Sequence, residues 1–299
     1  MLVAVATDLH FGYSQTETRM ESLLRKIGKL PRETAALCVC GDTFTLAGQD
    51  KWDPLIKRQA TDAEQMMLRQ VSVDLVESLM PRIEEAVGER EGLRLYLIPG
   101  NADALAYQYL TERTPIDSQV QLADGKILGH QERCKIEGLG AITPDCHDAV
   151  EINRLNPWYR GVRSSVQFGE ALIALAFSGY ELFYQSQGPT ILMTHMPAYR
   201  QVDSFAGANQ GSHQVLNYIN STQPLVHLAG HVHDGPFSGD EYRPYSIIGD
   251  HTVSLNAGGG PRHDLPTGVR LLTIDLYSLM AARVRKNLAT WARDAVREV

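Results

Sequence analysis

Five short apolar segments of this chain each end in an Asp, Asn or His residue, and this pattern limits the folds that the chain can adopt. Apolar runs of this length between polar loops predict buried strands of an α/β protein. Ligands bind at the carboxyl ends of such strands, so we expect the five ends to converge in space. The ends are Asp8-Leu9-His10, Gly41-Asp42, Gly100-Asn101, Thr194-His195 and Gly230-His231-Val232-His233.

Apolar residues at helical spacing lie between these predicted strands. Residues 18–30, between the first two strands, carry apolar side chains at helical spacing. Residues 60–87 repeat that spacing, and Pro81 predicts a break in the helix because proline removes a backbone donor. We therefore expect a helical insertion at about 43–90.

The rest of the chain continues the alternation of strands and helices, which predicts a layered α/β fold with sheets sandwiched by helices. We see no internal repeat and no linker, so we expect a single domain over residues 1–299. Residues 120–142 are rich in Gly and in alternating residues, which predicts short antiparallel strands. The other predicted strands are 2–6, 35–40, 93–98, 190–194, 225–229, 252–255 and 269–276, and the other predicted helices are 103–109, 212–220 and 282–299.

The net charge of the chain bears on its partners. A formal charge of −7 offers no broad basic surface for a phosphate backbone, which disfavours duplex nucleic acid as a partner. We expect a small or medium substrate instead. The N-terminal segment lacks a basic region before a long apolar run, and no run approaches the roughly 18 apolar residues of a membrane span. These features predict a cytoplasmic protein with no membrane partner, and they leave the oligomeric state open.

The cysteines do not form the pattern of a disulfide framework or a zinc cage. The four cysteines are scattered along the chain, and Cys38 and Cys40 occupy alternate positions in a predicted strand. We interpret Cys38, Cys40, Cys134 and Cys146 as buried thiols.

The residue types at the strand ends favour a metal site. Oxygen and imidazole ligands together suit Mn, Fe, Zn or similar ions, and a carboxylate can bridge two of them. In an extended backbone, alternate side chains point to the same side, so Asp8 with His10, and His231 with His233, can each reach one cluster. The glycines at 41, 100 and 230 suit positions where the backbone approaches such a cluster closely.

In this order, the strand ends resemble the signature of the calcineurin-like metallophosphoesterase superfamily: Asp-x-His, Gly-Asp, Gly-Asn-His-Asp or Glu, His, and Gly-His-x-His. The resemblance implies a four-layer α/β/β/α sandwich of two mixed sheets flanked by helices. It also implies two divalent or trivalent metal ions, with Mn first and Fe, Zn or Ni as alternatives. One ion would be held by Asp8, His10, Asp42 and His233, and the other by Asp42, Asn101, His195 and His231, with Asp42 bridging.

The segment before the last ligand-bearing strand resembles one prokaryotic branch of this superfamily. It reads Gly211-Ser212-His213-Gln214-Val215-Leu216, and in that branch a Gly-Ser helix start precedes the Gly-His-x-His strand. His213 is therefore a candidate to contact the phosphate, although a helix-start residue on a solvated face fits the sequence equally.

The chain departs from the family pattern at Gly100-Asn101-Ala102-Asp103, where relatives carry Gly-Asn-His-Asp. The missing imidazole is the one that contacts the scissile phosphate in relatives and helps the leaving group depart. Alanine cannot donate a proton, so the general-acid step lacks its usual residue. The possible substitutes are His147, His213, His251 and His263, with Asp103 as a weaker one that also fits a helix-start carboxylate.

These features predict hydrolysis of a phosphate ester, either a diester or a monoester, by a water that two metal ions activate. We expect Asp42, Asn101, Asp103 and His213 to contribute to catalysis, and leaving groups of low pKa to be preferred. The alternative is a non-catalytic or weakly active metal-binding scaffold that binds a protein partner. A DNA exonuclease is a third possibility, and it would be inhibited by salt.

Overall fold

The computed structural model describes most of the chain. The described residues are 1–12, 15–45, 61–114, 118–130, 134–140, 170–171, 174, 188–205, 207–233, 235–238, 241–258 and 269–299. In this part of the chain, two six-stranded sheets pack face to face and helices cover their outer faces.

The first sheet has a parallel centre and an antiparallel edge. Its strand order is β16-β15-β1-β2-β3-β4, and β1 to β4 run parallel while β15 and β16 are antiparallel to their neighbours. The strands are β1 Leu2–Ala6, β2 Thr34–Cys40, β3 Arg94–Ile98, β4 Val120–Leu122, β15 Leu272–Asp275 and β16 Val296–Glu298.

The second sheet is also mixed, with the order β13-β14-β10-β7-β6-β5. Its four central strands are parallel, and β5 and β13 pair antiparallel at the two edges. The strands are β5 Lys126–His130, β6 Cys134–Leu139, β7 Thr190–Thr194, β10 Val226–Ala229, β13 Tyr245–Ile248 and β14 Thr252–Asn256. Two short hairpins lie outside the sheets, β8 Ser204–Phe205 with β9 Ala208–Asn209 and β11 Phe237–Ser238 with β12 Glu241–Tyr242.

Six helices lie within the described residues, and the packing of four of them defines the outer layers. The helices are α1 Thr16–Lys29, α2 Asp62–Gly88, α3 Ala104–Arg113, α4 His213–Thr222, α5 Leu276–Val284 and α6 Leu288–Ala295. Helices α1, α2 and α3 cover the first sheet, and α4 covers the second. Helices α5 and α6 pack against the core between the sheets.

Strand β1 shows why the layers form. Val3 and Val5 face the second sheet, whereas Ala4 and Ala6 face the helices, and all four side chains are fully buried. A strand that is buried on both faces needs apolar residues at every position, which explains the unbroken apolar runs in the sequence. The fold is the α/β sandwich of two mixed sheets that the sequence predicted.

The structure corrects the expected break at Pro81. Helix α2 is continuous over Asp62–Gly88, with Pro81 inside it. Proline leaves the carbonyl of Glu77 without its helical donor, but Pro81 lies on the exposed face, where water can satisfy that carbonyl. Meanwhile Met80 and Ile83, on either side of the proline, are buried against the first sheet and hold the helix together.

Two other predicted elements differ from the structure. The C-terminal segment 282–299 is not a single helix, because β16 follows α6 and pairs antiparallel with β15. In the segment 120–142, β5 and β6 are antiparallel as predicted, but β4 pairs parallel with β3 in the first sheet. Both differences arise from strand pairing with residues distant in sequence.

Helix α2 falls within the expected insertion at 43–90, while residues 46–60 lie outside the described residues. The single-domain organisation and the boundaries of the insertion stay predictions. Cys38, Cys40 and Cys134 are buried free thiols as predicted, and Cys146 lies outside the described residues. Among the described helices, none is both long enough and apolar enough to cross a bilayer.

Candidate metal centre

The carboxyl ends of the central strands from both sheets meet at one edge of the sandwich. Two groups of possible metal ligands lie there, and within each group the ligand atoms are all within 4.8 Å of one another. The first group contains Asp8, His10 and His233, and the second contains Asp42, His195 and His231. The predicted convergence of these strand ends is confirmed.

The first group combines residues from the loops after β1 and β10. The Nε2 atoms of His10 and His233 are 3.2 Å apart. Oδ1 of Asp8 lies 3.3 Å from Nε2 of His233 and 4.0 Å from Nε2 of His10. Ligand atoms that lie about 2.1 Å from one ion are roughly 3 to 4 Å apart, so these spacings suit a shared cation.

The second group brings together the loops after β2, β7 and β10, and Asn101 from the loop after β3 lies beside it. Nε2 of His195 lies 3.5 Å from Oδ2 of Asp42 and 3.3 Å from Nδ1 of His231. The amide oxygen of Asn101 is 3.0 Å from the same Nε2 atom of His195. Asn101 therefore joins this group through the oxygen that a metal would require.

Asp42 lies between the two groups. Its Oδ2 atom is 4.0 Å from Nε2 of His10 in the first group and 3.5 Å from Nε2 of His195 in the second. Its Oδ1 atom accepts a hydrogen bond from the backbone N–H of Ala102 at 2.8 Å. One carboxylate oxygen is thus held by the backbone, while the other faces both groups.

Four of these residues have a left-handed backbone. Asp8, His10, Asp42 and His231 have φ angles of 53°, 47°, 50° and 65°. Non-glycine residues rarely adopt this conformation, although Asp and His tolerate it better than most. The tight turns that it creates aim successive side chains from the strand ends towards one point.

Two glycines allow the backbone to approach the ligands. A Cβ atom at Gly100 would overlap Oδ1 of Asp42, and one at Gly230 would overlap the Thr7 hydroxyl and lie 2.6 Å from Oδ2 of Asp8. Any side chain at either position would displace a ligand carboxylate. The expectation that these glycines serve close approach is confirmed.

Hydrogen bonds outside the two groups orient the ligand atoms. Nδ1 of His195 donates to the carbonyl oxygen of Cys40 at 2.8 Å, which leaves Nε2 with a lone pair for a cation in the neutral ring. The Thr7 hydroxyl donates to Oδ2 of Asp8 at 2.8 Å, and the His231 N–H lies 3.1 Å from both oxygens of Asp8. Arg19, buried in α1, donates to the His10 carbonyl at 3.3 Å.

The pKa values of the two carboxylates favour their charged form. Burial alone would raise the pKa of Asp8, but the adjacent His233 imidazole outweighs burial and holds that pKa at about 2. Burial likewise opposes ionisation of Asp42, yet His195 holds the pKa of Asp42 well below its usual value. Both residues therefore present negative charge to a cation at neutral pH.

The imidazoles divide into two kinds. Burial would lower the pKa of His195, but Asp42 beside it raises that pKa to about 10. Burial lowers the pKa of His231 to about 4, so that ring is neutral at pH 7. A histidine must lose its proton before it binds a cation, so His195 would release one on binding.

The donor atoms fit two cations. The two groups and Asn101 together offer carboxylate, amide and imidazole ligands without a thiolate, which suits first-row metal ions. Asp8, His10, Asp42 and His233 would hold one ion, and Asp42, Asn101, His195 and His231 the other.

Asp103 makes contacts other than those of a helix-start carboxylate, and its part in catalysis stays a prediction. It is buried at the residue before α3, but its side chain makes no capping hydrogen bond. Its two oxygens instead accept from the backbone N–H groups of Gly100 at 2.6 Å and Thr43 at 2.7 Å. Burial and the nearby Asp42 raise the pKa of Asp103 to about 7. Since both oxygens are engaged, this carboxyl ties the loops after β2 and β3 together.

The histidine candidates for the missing general acid are separated by the fold. His251 precedes β14, at the amino end of that parallel strand and opposite the ligand-bearing edge, which removes it as a candidate. His213 is exposed at the first position of α4, where its ring stacks on Tyr199 with centroids 3.8 Å apart. His147 and His263 lie outside the described residues.

Ala102 lines a mostly apolar cleft beside Asp42. The other residues of the cleft come from the loop after β2 and from helices α2 and α3. They are Phe44, Thr45, Ser72, Leu75, Leu105 and Ala106. The Ser72 hydroxyl donates to the carbonyl of Leu68 at 2.9 Å, so the proton of this hydroxyl is used in a hydrogen bond within the helix.

The sequence interpretation missed Asn256, a fully buried residue at the carboxyl end of β14. Its amide group contacts the loops after both β7 and β10. A signal was present, because Asn256 directly follows the predicted strand 252–255, as the predicted ligands follow their strands.

Comparison with known proteins agrees with this architecture. One solved crystal structure has a TM-score of 0.65 at 16% sequence identity, with 92% of this chain and 95% of that chain covered. The crystal structure of TT1561 of Thermus thermophilus has a TM-score of 0.54 at 13% identity, with 93% and 95% covered. At these identities the likeness shows a shared fold. A search of curated proteins gave no match.

A family model described as calcineurin-like phosphoesterase matches residues 1–235. The match contains both ligand groups and extends over most of the chain. This chain therefore belongs to the calcineurin-like phosphoesterase family.

Proposed function

We propose that this protein hydrolyses a phosphate ester with two metal ions held by the two ligand groups. The observation that carries the proposal is the position of Asp42 Oδ2, which faces His10 at 4.0 Å and His195 at 3.5 Å. That placement suits a carboxylate that bridges two cations. Bound metal ions would supply the positive charge that binds phosphate oxygens and acidifies the attacking water.

The residues of the chain would hold and orient this centre. Asp8 and Asp42 supply the buried negative charge that attracts two cations, and the neutral His231 adds a lone pair. The backbone N–H of Ala102 keeps Asp42 in one orientation by holding its other oxygen at 2.8 Å. Asp103 supports the same geometry by joining the loops that carry Asp42 and Asn101.

The leaving group is expected to depart with little help from the protein. Ala102 supplies no proton, and both oxygens of Asp103 already accept backbone hydrogen bonds. His213 stays a proposed phosphate contact. The stacking of its ring on Tyr199 would hold the imidazole in one orientation for that contact. We therefore propose that esters with leaving groups of low pKa are the better substrates.

The direct test is a panel of phosphomonoesters and phosphodiesters, including bis-p-nitrophenyl phosphate, assayed with Mn, Ni, Zn and Mg. The matched control is Asp42→Asn, which keeps the size of the side chain but removes its charge. We expect turnover by the wild type and a loss of at least about a hundredfold in Asp42→Asn, because the metal centre provides most of the rate. Equal activity of both proteins would refute the assignment.

A second experiment addresses the leaving group. Rates for aryl phosphates that differ only in the pKa of the phenol should fall steeply as that pKa rises. Ala102→His should flatten this dependence, since an imidazole can protonate the departing oxygen and general acids contribute about 10² to 10⁴ in rate. A dependence that is already flat in the wild type would show that another group performs this step.

The alternative function is a metal-binding scaffold that binds a protein partner. It predicts a purified protein with metal but without turnover on any ester of the panel. A DNA exonuclease would instead degrade DNA ends and lose activity as salt increases, because phosphate contacts are screened. The formal charge of −7 favours a small or medium phosphate ester over duplex DNA.

A further inference from the structure

Asn256 is a buried amide whose three hydrogen bonds connect separate loops. It is fully buried at the end of β14, the strand beside β10. Its Nδ2 atom donates to the carbonyl of Val232 at 2.9 Å and to the carbonyl of Val202 at 3.0 Å. Its Oδ1 atom accepts from the N–H of Gly258 at 2.8 Å. The side chain thus uses both amide protons and its oxygen within the protein.

The Val232 carbonyl belongs to the turn that carries two candidate ligands. Val232 N–H donates to the Gly230 carbonyl at 2.7 Å, which closes a three-residue turn centred on His231 with a φ of 65°. A turn of this kind with a positive central φ is rare and strained. It persists only where surrounding groups hold it. Asp8 holds it through the N–H of His231, and Asn256 holds it through the carbonyl of Val232.

The Val202 carbonyl belongs to the loop that follows His195. Val202 has a φ of 49°, which is an unusual conformation for a β-branched residue. The carboxylate of Asp203 supports the same loop by accepting from the N–H groups of Arg200 at 2.9 Å and Gly211 at 2.8 Å. Asn256 therefore contacts two strained loops, one after β7 and one after β10, and each carries ligands of the metal centre.

We propose that Asn256 is a positioning residue that holds the turn centred on His231, and with it the adjacent His233, in ligand geometry and in register with the loop after His195. The inference rests on the proposed function, because it assumes that the two ligand groups bind metal. His231 belongs to one group and His233 to the other, so movement of this one turn weakens both ion sites.

Asn256→Asp is the sharpest perturbation. Aspartate has the size of asparagine and keeps the oxygen that accepts from Gly258, but it cannot donate to Val202 or Val232. Its charge would also face two carbonyl oxygens, which repels both loops. Asn256→Ala removes the donors without adding charge, and it provides the test if the aspartate variant does not fold.

Ser254→Ala is a matched control on the same strand. Ser254 is fully buried two residues before Asn256, and its hydroxyl bonds to Nδ1 of His227 at 2.8 Å. Its loss removes one buried hydrogen bond without touching Val202 or Val232. The control therefore separates a general loss of stability from a local effect on the ligand-bearing turn.

The first measurement is hydrogen exchange of the metal-free proteins, followed in peptides that cover residues 230–235. We expect faster exchange there in the Asn256 variants than in Ser254→Ala, because the Val232 amide closes the turn and the Gly235 amide donates to the Val232 carbonyl, which Asn256 also binds. The second measurement is calorimetric titration with Mn. Loss of such a supporting contact lowers metal affinity by about 10 to 100-fold, whereas Ser254→Ala should change it less than about threefold.

The outcomes separate this inference from the proposed function. Wild type that binds two Mn ions, together with Asn256 variants that keep wild-type affinity and exchange, would overturn the positioning role alone. Wild type that binds no metal would overturn the proposed function, and the exchange measurement would then still decide whether Asn256 holds the turn. Equal loss of Mn affinity in Ser254→Ala would attribute the effect to stability and overturn the inference.

Discussion

His227 provides a quantitative test of the packing of the second sheet. This histidine is fully buried in β10, with Nε2 at 2.8 Å from the Thr194 hydroxyl and Nδ1 at 2.8 Å from the Ser254 hydroxyl. The Thr194 hydroxyl donates to the Met196 carbonyl at 2.6 Å, so it accepts from Nε2–H, and the Ser254 hydroxyl donates to Nδ1. The ring is therefore neutral, and burial lowers its pKa to about 3.

The consequence is a defined dependence of stability on pH. In the unfolded chain, His227 has the ordinary histidine pKa of 6.5. Below that pH, the His227 ring of the unfolded chain binds a proton that the buried ring of the folded protein does not bind. The contribution of His227 to the free energy of unfolding is complete above pH 6.5 and is lost as the pH falls towards 3. At about 1.4 kcal/mol per pH unit, the loss is about 2 kcal/mol by about pH 5 and about 5 kcal/mol by about pH 3.

The comparison needs a variant that cannot titrate. His227→Gln keeps an amide donor for Thr194 and has no ionisable group. Free energies of unfolding in urea, measured with a chelator at about pH 7 and about pH 5, give the pH dependence of each protein. We expect the wild type to lose about 2 kcal/mol more than the variant over this interval. Equal losses would show that His227 is not held neutral by burial, and would refute the reasoning.

Three further outcomes follow from the structure. Gly230→Ala should weaken Mn binding at least tenfold in a calorimetric titration, because the added Cβ would overlap the Thr7 hydroxyl. Gly28→Ala in α1 is the control: its Cβ would enter open space, so Mn affinity should be unchanged. Pro81→Ala should raise the free energy of unfolding by about 2 kcal/mol. The substitution removes about 3 kcal/mol of helix destabilisation, but it also loses about 1 kcal/mol that proline gains by restricting the unfolded chain. An unchanged urea midpoint would contradict this. Mn binding at about pH 8 should release a proton from His195, so Mn affinity should fall as the pH is lowered. The released proton is taken up by the buffer, so the heat of binding should change with the ionisation enthalpy of the buffer. Binding heats that are the same in all buffers would contradict this.

The ligands could be found from the sequence because each follows its strand directly. Asp8, Asp42 and His195 end apolar runs, and the carboxyl ends of parallel strands meet at one edge whatever the loops do. The absence of the imidazole at Ala102 could also be recognised from the sequence, because it is a change of residue type within the family pattern. Asn256 had the same local pattern, but an amide at a strand end indicates a ligand or a support equally, and only its contacts decide between them.

The sequence by itself determined the layered α/β class, the order of its main elements and the chemistry of the strand ends, because these depend on local periodicity and residue type. The tertiary structure decided the continuity of α2 through Pro81, the pairing of β4 and β16, and the engagement of Asp103 by two backbone amides. It also decided that one oxygen of Asp42 faces both ligand groups. Each of these depends on contacts between residues far apart in the chain, and local sequence carries no direct record of such distances.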